Sequence, residues 1–424
     1  MAKIFYAKYV LPVTSEMIEN GAVVVNGRKI IDFGNREEID AKYKEIERRI
    51  NLKNALIMPG FVNAHTHLEL SGVKIKIDEI ENFRDWLYQI VRQRRRLFNV
   101  EGISGKIKFF KFLLEKSWKM TVKRRISEII NSGTIAIGDI SNTGKLITTL
   151  LRVPVKIHIF IELISFIEEK GIEFFNLVKD LVIDMREVAR KYGLERDFRI
   201  SLSPHAPYSV SKTLFKLIKN FNENLKTSVH ISEVADEVEF IKSGTGFFRN
   251  FLIERNSFDY SWTPPGVSPV KYLDQIGFLD ENTLAVHCVN VDDEDIEILS
   301  RRNVSVCTCP RSNFFLKVGK APVKKFIDNG INVCLGTDSI ASNRDLNILK
   351  ELKFAREFYR DVSDEDLIKI ATINGARALG FEDICGSIEK GKDADLVYFI
   401  IPNDLKKNEI YNFIFQSSVC GRLI

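Results

Sequence analysis

A chain of 424 residues is too long for one ordinary core but suits a barrel of roughly 250–350 residues with a smaller domain beside it. Its 62 basic and 57 acidic residues leave a net charge of +5, a mixed surface that argues against a nucleic-acid binder with one dominant basic face. The first apolar run carries Lys3 and Lys8, and no stretch of about 18 uncharged apolar residues follows, so neither a signal peptide nor a membrane span is expected.

Residues 1–57 read as short strands with turns: KIFYAKYVLPV, GAVVVNGRKIIDFG and NALIM, with Asn26-Gly27 as a hairpin signal and a charged, helix-compatible segment at 35–49. GSIEKGKDADLVYFI (386–400) again alternates turn and strand. One small sheet domain assembled from both ends (1–57 and 384–424) is therefore expected around a central unit, 58–383. In that unit apolar strand runs alternate with helical patterns, the mark of a parallel sheet. Eight runs qualify: GFVNAHTH (60–67), TIAIGDIS (134–141), VKIHIFIELI (155–164), FRISLSPH (198–205), TSVHISE (227–233), TLAVHCVN (283–290), VSVCTCPRSN (304–313) and NVCLGTDS (332–339). Eight such strands with intervening helices predict an α/β fold of the TIM type, a (β/α)8 barrel. The connections 68–133 and 234–282 are longer than a simple βα unit requires, and the first reads as a helical, lid-like insertion.

Five of only six histidines sit where these runs break into loops, which is the face of a barrel where its chemistry lies. His65 and His67 alternate along one strand and point the same way, about 7 Å apart along the backbone. Alone, such a pair is as often a core pair as a ligand pair. His230 ends another strand, with Glu233 three residues on; His287 and Asp338 end two more, and His205 lies in SLSPHAPYS. Imidazoles and a carboxylate converging from separate strands can hold one metal ion. Glu233 reads either as a helix N-terminal charge or as a proton shuttle above the metal. His287 reads as a partner of that reaction, and His158, mid-strand in IHIFI, as structural. The six cysteines show no framework spacing; Cys307 and Cys309 share one strand face without a second pair for a thiolate site, and free thiols suit a cytoplasmic location.

The stretches PGFVNAHTHLEL, SPHAPYSVS, VHISE, LAVHCV, CPRSN, LGTDS and ATINGARALGFEDICGSIEKGKDADLV resemble the amidohydrolase superfamily, in particular its deaminase and chlorohydrolase branch. That resemblance implies a (β/α)8 barrel with a small β-sandwich built from both termini. It implies that His65, His67, His230 and Asp338 bind one divalent ion, zinc or iron. Glu233, His287 and Asp338 would be catalytic, and His205 would lie near the substrate. Binuclear relatives carry a bridging lysine at the end of strand four, where this chain has Ser203-Pro204-His205, so a mononuclear site is expected.

The implied reaction is hydrolytic deamination of an adenine-type nucleoside, with release of ammonia. HTHLELS, NFRDWLYQIVRQR and PHAPYS are most similar to 6-aminodeoxyfutalosine deaminases of menaquinone biosynthesis. Adenosine, methylthioadenosine and S-adenosylhomocysteine deaminases are close alternatives, and a chlorohydrolase of a heteroaromatic ring is the same-fold rival. A non-catalytic metal-binding protein would be expected to have lost a motif residue, and none is missing. The expected partner is a small nucleoside, with no nucleic acid and no membrane; a homo-oligomer is left open. A benzoate-bearing substrate needs a cation and apolar surface. Trp86, Arg92 and Arg94 in the first insertion could supply them, as could Arg311, Phe314 and Phe315 after strand seven. Arg311 ranks first because CPRSN sets it just beyond a barrel strand. Solvated roles for Arg92 and Arg94 and a core role for Phe314 are the alternatives.

Overall fold

Five strands, β1 (Ala2–Val10), β2 (Ile18–Asn26), β3 (Lys29–Asn35), β4 (Arg49–Asn51) and β5 (Ala55–Pro59), lead into the first barrel strand. The structure is a computed structural model and describes residues 1–98, 106–419 and 421–423, with side chains described outside 95–98 and 106–115. The side chains of Arg95 and Arg96, and all of Cys420, lie outside the described residues.

The barrel strands are β6 (Phe61–Thr66), β7 (Thr134–Ser141), β8 (Lys156–Leu163), β9 (Phe198–Pro204), β10 (Thr227–Ile231), β11 (Thr283–His287), β12 (Ser305–Thr308) and β13 (Val333–Leu335). All run parallel, in two four-stranded sets, β6-β7-β8-β9 and β10-β11-β12-β13. The sets meet on both sides. Thr66 bridges Asp338, and the N–H groups of Thr337 and Asp338 both donate to the His65 carbonyl at 3.0 Å. Across the other seam the His230 N–H donates to the His205 carbonyl at 2.9 Å, and the Ser228 N–H to Ser203 Oγ at 3.0 Å. The result is the (β/α)8 barrel. Every residue of β6, β7, β8 and β10–β13 is buried, as expected of parallel strands covered on both faces. Gly336 lets β13 approach β6: a Cβ there would meet His65 Cβ at 2.7 Å and Cys307 Sγ at 2.8 Å.

The remaining strands, β14 (Leu396–Ile400) and β15 (Gly421–Arg422), join β1–β5 in one mixed seven-stranded sheet of order β15-β14-β5-β1-β2-β3, with β4 on β1. Alternation along β1 and β2 sends Phe5, Val23 and Val25 to one apolar cluster and Ile4, Tyr6 and Val24 to another on the opposite face.

The first insertion holds helices Phe83–Phe98 and Lys106–Asn131, and the second holds Ala235–Ser243, Phe247–Glu254 and Pro269–Gln275. Helix Phe83–Phe98 and the segment around Phe251 roof the C-terminal end of the barrel. Among the described residues no helix is long and apolar enough to cross a membrane.

Candidate metal centre and substrate cavity

The barrel seam at β13 and β6 brings three donors together. His65 Nε2 and His67 Nε2 lie 3.2 Å apart, and Asp338 Oδ1 stands 3.4 Å from the second and 3.8 Å from the first. Bonds of about 2.0–2.2 Å in a tetrahedral shell hold neighbouring donors about 3.3–3.6 Å apart, so these spacings fit one ion. His230 faces the same point, its ring centroid 5.0 Å from that of His65. Its Nδ1 bonds the His205 carbonyl at 3.0 Å, which leaves Nε2 for the cluster. His65 is wholly buried, and among the described residues its Nδ1 has no hydrogen-bond partner. Burial drives the pKa of His65 well below the ordinary imidazole range and takes His67 down to about 4. Both rings are thus neutral at pH 7, the state that offers a lone pair to a metal.

Asp338 is buried, which alone would raise its pKa. The imidazoles of His67 and His287 and the hydroxyls of Ser342 and Ser312 outweigh that and hold it below the usual carboxylate value. Those hydroxyls donate to Oδ2 at 2.6 and 2.7 Å, so Oδ1 is the oxygen turned to the histidines. Glu233 behaves in the opposite way: burial pushes its pKa up to about 8, so the carboxyl carries its proton at neutral pH. Its Oε1 lies 3.6 Å from His287 Nε2, while His287 Nδ1 is fixed by Asn313 Oδ1 at 2.9 Å. His287 (φ 73°), Asp338 (φ 56°) and Ser232 (φ 51°) all adopt left-handed backbone. Strain of this kind gathers where side chains must be aimed, and here it turns three loop starts into one centre.

Above the cluster opens a cavity of about 670 Å³ lined by His67, His205, His230, Glu233, His287 and Asp338 at its base. Trp86, Leu87, Ile90, Phe166, Phe174, Tyr208 and Phe251 give it apolar walls. Half-buried Arg94 and Arg255 and exposed Lys170 line it as well. Positions 86, 87, 90, 91 and 94 form one stripe of helix Phe83–Phe98, at the spacing of a 3.6-residue turn. Arg92 lies roughly opposite, about 200° around the helix from Ile90, and is exposed outside the cavity.

Besides Arg92, the three expectations placed after strand seven need correction. Arg311 does not reach the cavity: it is buried, bonds Asp345 with both terminal nitrogens at 3.0 and 3.4 Å, and donates its backbone N–H to Glu351 at 2.7 Å. A guanidinium taken out of water must be paired, and those two acids pair it. Phe314 is 54% exposed and packs on Phe315, Phe354 and Phe358, away from the cavity. The neighbours of Arg311 in CPRSN serve the site instead, Ser312 on Asp338 and Asn313 on His287. Phe315 packs beneath Arg344. His158 lies outside the cavity, bonded to Ser201 Oγ at 2.9 Å and the Leu379 carbonyl at 3.2 Å.

Glu162 is a lining residue that sequence reading passed over, as are Lys170 and Arg255. It sits near the end of β8 within the apolar run IHIFIELI. A carboxylate closing a strand run was the signal, the same one that marked Asp338. Burial raises its pKa, but His205, His230, His67 and Arg94 together bring it to about 2. Asn142 Nδ2 donates to its Oε2 at 2.6 Å. Glu69, buried in turn, fixes that loop by accepting from the Asn142 and Thr143 N–H groups at 3.1 Å and from Ser141 Oγ at 2.5 Å.

Residues 56–419 match the amidohydrolase family, and the chain belongs to it. It is therefore a hydrolase acting on carbon–nitrogen bonds. It is similar to a 5-methylthioadenosine/S-adenosylhomocysteine deaminase of Thermoanaerobacter pseudethanolicus, with 33% identity over 408 residues covering 93% of this chain and 83% of the relative. An aminodeoxyfutalosine deaminase of Deinococcus radiodurans is 30% identical over 370 residues, 85% of this chain and 81% of that one. Among solved structures, Helicobacter pylori aminofutalosine deaminase in complex with methylthio-coformycin shares the fold with a TM-score of 0.82, at 24% identity over all of both chains.

Proposed function

We propose that this chain is a metal-dependent deaminase of adenine nucleosides that replaces the amino group by oxo and releases ammonia. The observation that carries the reading is the convergence of three imidazoles and one carboxylate at the base of the cavity, with the buried Glu233 carboxyl 3.6 Å from His287 beside them. His65, His67, His230 and Asp338 would hold one divalent ion, zinc or iron, which when bound supplies water as a nucleophile at neutral pH. Glu233 gives its proton to a ring nitrogen beside the amino-bearing carbon, which makes that carbon electrophilic. His287, its tautomer set by Asn313, faces Glu233 and takes part in returning a proton to the departing ammonia. Neutral His205, held by Ser209 Oγ at 2.7 Å, lines the cavity beside His230 and orients the heterocycle.

The finer reading is 6-aminodeoxyfutalosine. Its 5′ extension ends in a benzoate, and the cavity joins aromatic walls to the cations Arg94, Lys170 and Arg255, a match for a ring bearing a carboxylate. The relatives named for methylthioadenosine and S-adenosylhomocysteine make those nucleosides the first competitors. Ammonia release from 6-aminodeoxyfutalosine, methylthioadenosine, S-adenosylhomocysteine and adenosine decides among them. The reading expects the carboxylated nucleoside to give the highest kcat/KM, and a preference for adenosine would overturn it.

A further inference from the structure

Next to Glu233 lies a second buried carboxyl that the reaction does not use. Glu237 is the third residue of helix Ala235–Ser243, is wholly buried and does not line the cavity. A glutamate at that helical position ordinarily folds back to the N–H of the capping residue, here Val234. Glu237 reaches one residue further. Its Oε2 accepts from the Glu233 N–H at 3.1 Å, and the Ser232 N–H faces the same carboxyl. Burial pushes the Glu237 pKa up to about 8, so the group is neutral at pH 7. Its Oε1 has no hydrogen-bond partner among the described residues. A neutral carboxyl that accepts at Oε2 carries its proton on Oε1, so Oε2 serves as a carbonyl oxygen, an acceptor only.

The other side of the same turn is held from the loop after β11. Asn290 Nδ2 donates to the Glu233 carbonyl at 3.0 Å, and the N–H groups of Val289 and Asn290 donate to the Ser232 carbonyl at 3.1 and 2.8 Å. Between these holds Ser232 takes left-handed backbone, φ 51°. That conformation is costly for a serine and persists only where its surroundings over-determine it. Here it leads the chain from His230 to Glu233, whose Oε1 then stands 3.6 Å from His287 Nε2. Asn290 follows His287 by three residues, so one loop fixes both partners of that pair.

We infer that Glu237 and Asn290 are positioning residues that clamp the Glu233 backbone, one at its N–H and one at its carbonyl, and so aim its carboxyl at the reacting ring nitrogen. The inference rests on the role given to Glu233 above and goes beyond it to what holds that residue in place. Misplacing a catalytic group by about 1 Å costs about 10²-fold in rate, which sets the scale of the effect.

The test measures ammonia release from adenosine by the metal-loaded protein in wild type, Glu237→Met, Glu237→Gln and Asn290→Ala, with metal content and unfolding followed in each. Glu237→Met keeps the volume and removes the acceptor. It should lose about 10–100-fold in kcat while KM stays within about 3-fold, because the residue touches nothing in the cavity. Glu237→Gln restores an acceptor oxygen and should recover kcat to within about 5-fold of wild type. Asn290→Ala frees the other side of the peptide, should show the same loss confined to kcat, and decides the matter if Glu237→Met does not fold. Placed in a Glu233→Gln background, Glu237→Met should cost less than about 3-fold more, since the group it aims is already disabled. Hydrogen exchange needs no turnover: the Glu233 amide should be protected in wild type and in Glu237→Gln, and lose protection in Glu237→Met while the barrel strands keep theirs. Wild-type kcat in a folded Glu237→Met or in Asn290→Ala overturns the inference, as does a loss that recurs in full in the Glu233→Gln background or protection lost across the whole barrel. Absence of ammonia release from wild type, with the Glu233 amide exposed in Glu237→Met alone, overturns the deaminase reading and supports the clamp.

Discussion

At the N-terminal end of the barrel, the first residue of β8, Lys156, is 2% exposed and surrounded by acids: it bonds Asp395, lies 3.0 Å from Asp393 and 3.7 Å from Asp197. Arg28 and Arg196 close the network, at 2.7 Å from Asp197 and 2.5 Å from Asp393. At the C-terminal end of the same strand Glu162 is equally buried, yet one of its oxygens meets no donor among the described residues, and Glu233 keeps a proton it can give away. Both ends bury charge. At one end every charge is paired with another across the junction of barrel and small sheet. At the other, lone pairs and a proton are left facing a cavity. The difference shows that buried charge by itself does not mark a site, whereas unfilled bonding capacity beside a cavity does. Although burial opposes it, the acids around Lys156 raise its pKa and keep it charged.

The comparison is broken most severely at the metal cluster. His67→Ala should remove both the ion and all measurable deamination, read by elemental analysis and ammonia release; a metal-free variant with normal turnover would show the cluster to be structural. Glu233→Gln should come next, keeping the ion while losing about 10²–10⁴ in kcat, the usual worth of a positioned proton donor. Because the protonated carboxyl is the working form, kcat/KM of the wild type should fall as pH rises through about 8, or lower once a bound cation draws the carboxyl down. A rate sustained far above that range would deny Glu233 its role.

The opposite end should respond in the opposite currency. Lys156→Met leaves three carboxylates without their central cation and should cost about 3–5 kcal/mol of stability, seen in denaturant unfolding. Its kcat/KM per folded molecule should stay within about 2-fold, since the change leaves every cavity contact in place; a selective loss of activity would mean that the two ends are coupled. The smallest expected effect is at the cavity wall. Arg94→Ala should weaken use of a carboxylated nucleoside by about 10–100-fold, as for one charge-assisted bond, while adenosine changes little. Equal loss on both would assign Arg94 to the walls of the cavity.

The barrel strands were legible because each apolar run ends in a polar break, and parallel strands buried on both faces leave little else for such runs to be. The histidine cluster was legible for a related reason: scarce imidazoles recurring at strand ends have few structural uses there. Arg311 was misread because strand-end position gives the face of the barrel but not the direction of a side chain. Asp345 and Glu351, tens of residues later in sequence, decide that direction. Arg92 and Arg94 could not be separated without the register of helix Phe83–Phe98, which turns one to the cavity and the other to solvent. Glu162 escaped notice because it is embedded in IHIFIELI, where apolar neighbours dominate the pattern.

The central claim is that the cavity deaminates an adenine nucleoside. Incubating the zinc-loaded protein with 6-aminodeoxyfutalosine and with adenosine, and measuring ammonia together with the oxo product, tests it most directly. The account predicts ammonia and the oxo nucleoside in equal amounts, faster from the carboxylated substrate, and neither from His67→Ala. An intact amino group on both substrates after exhaustive incubation would contradict it.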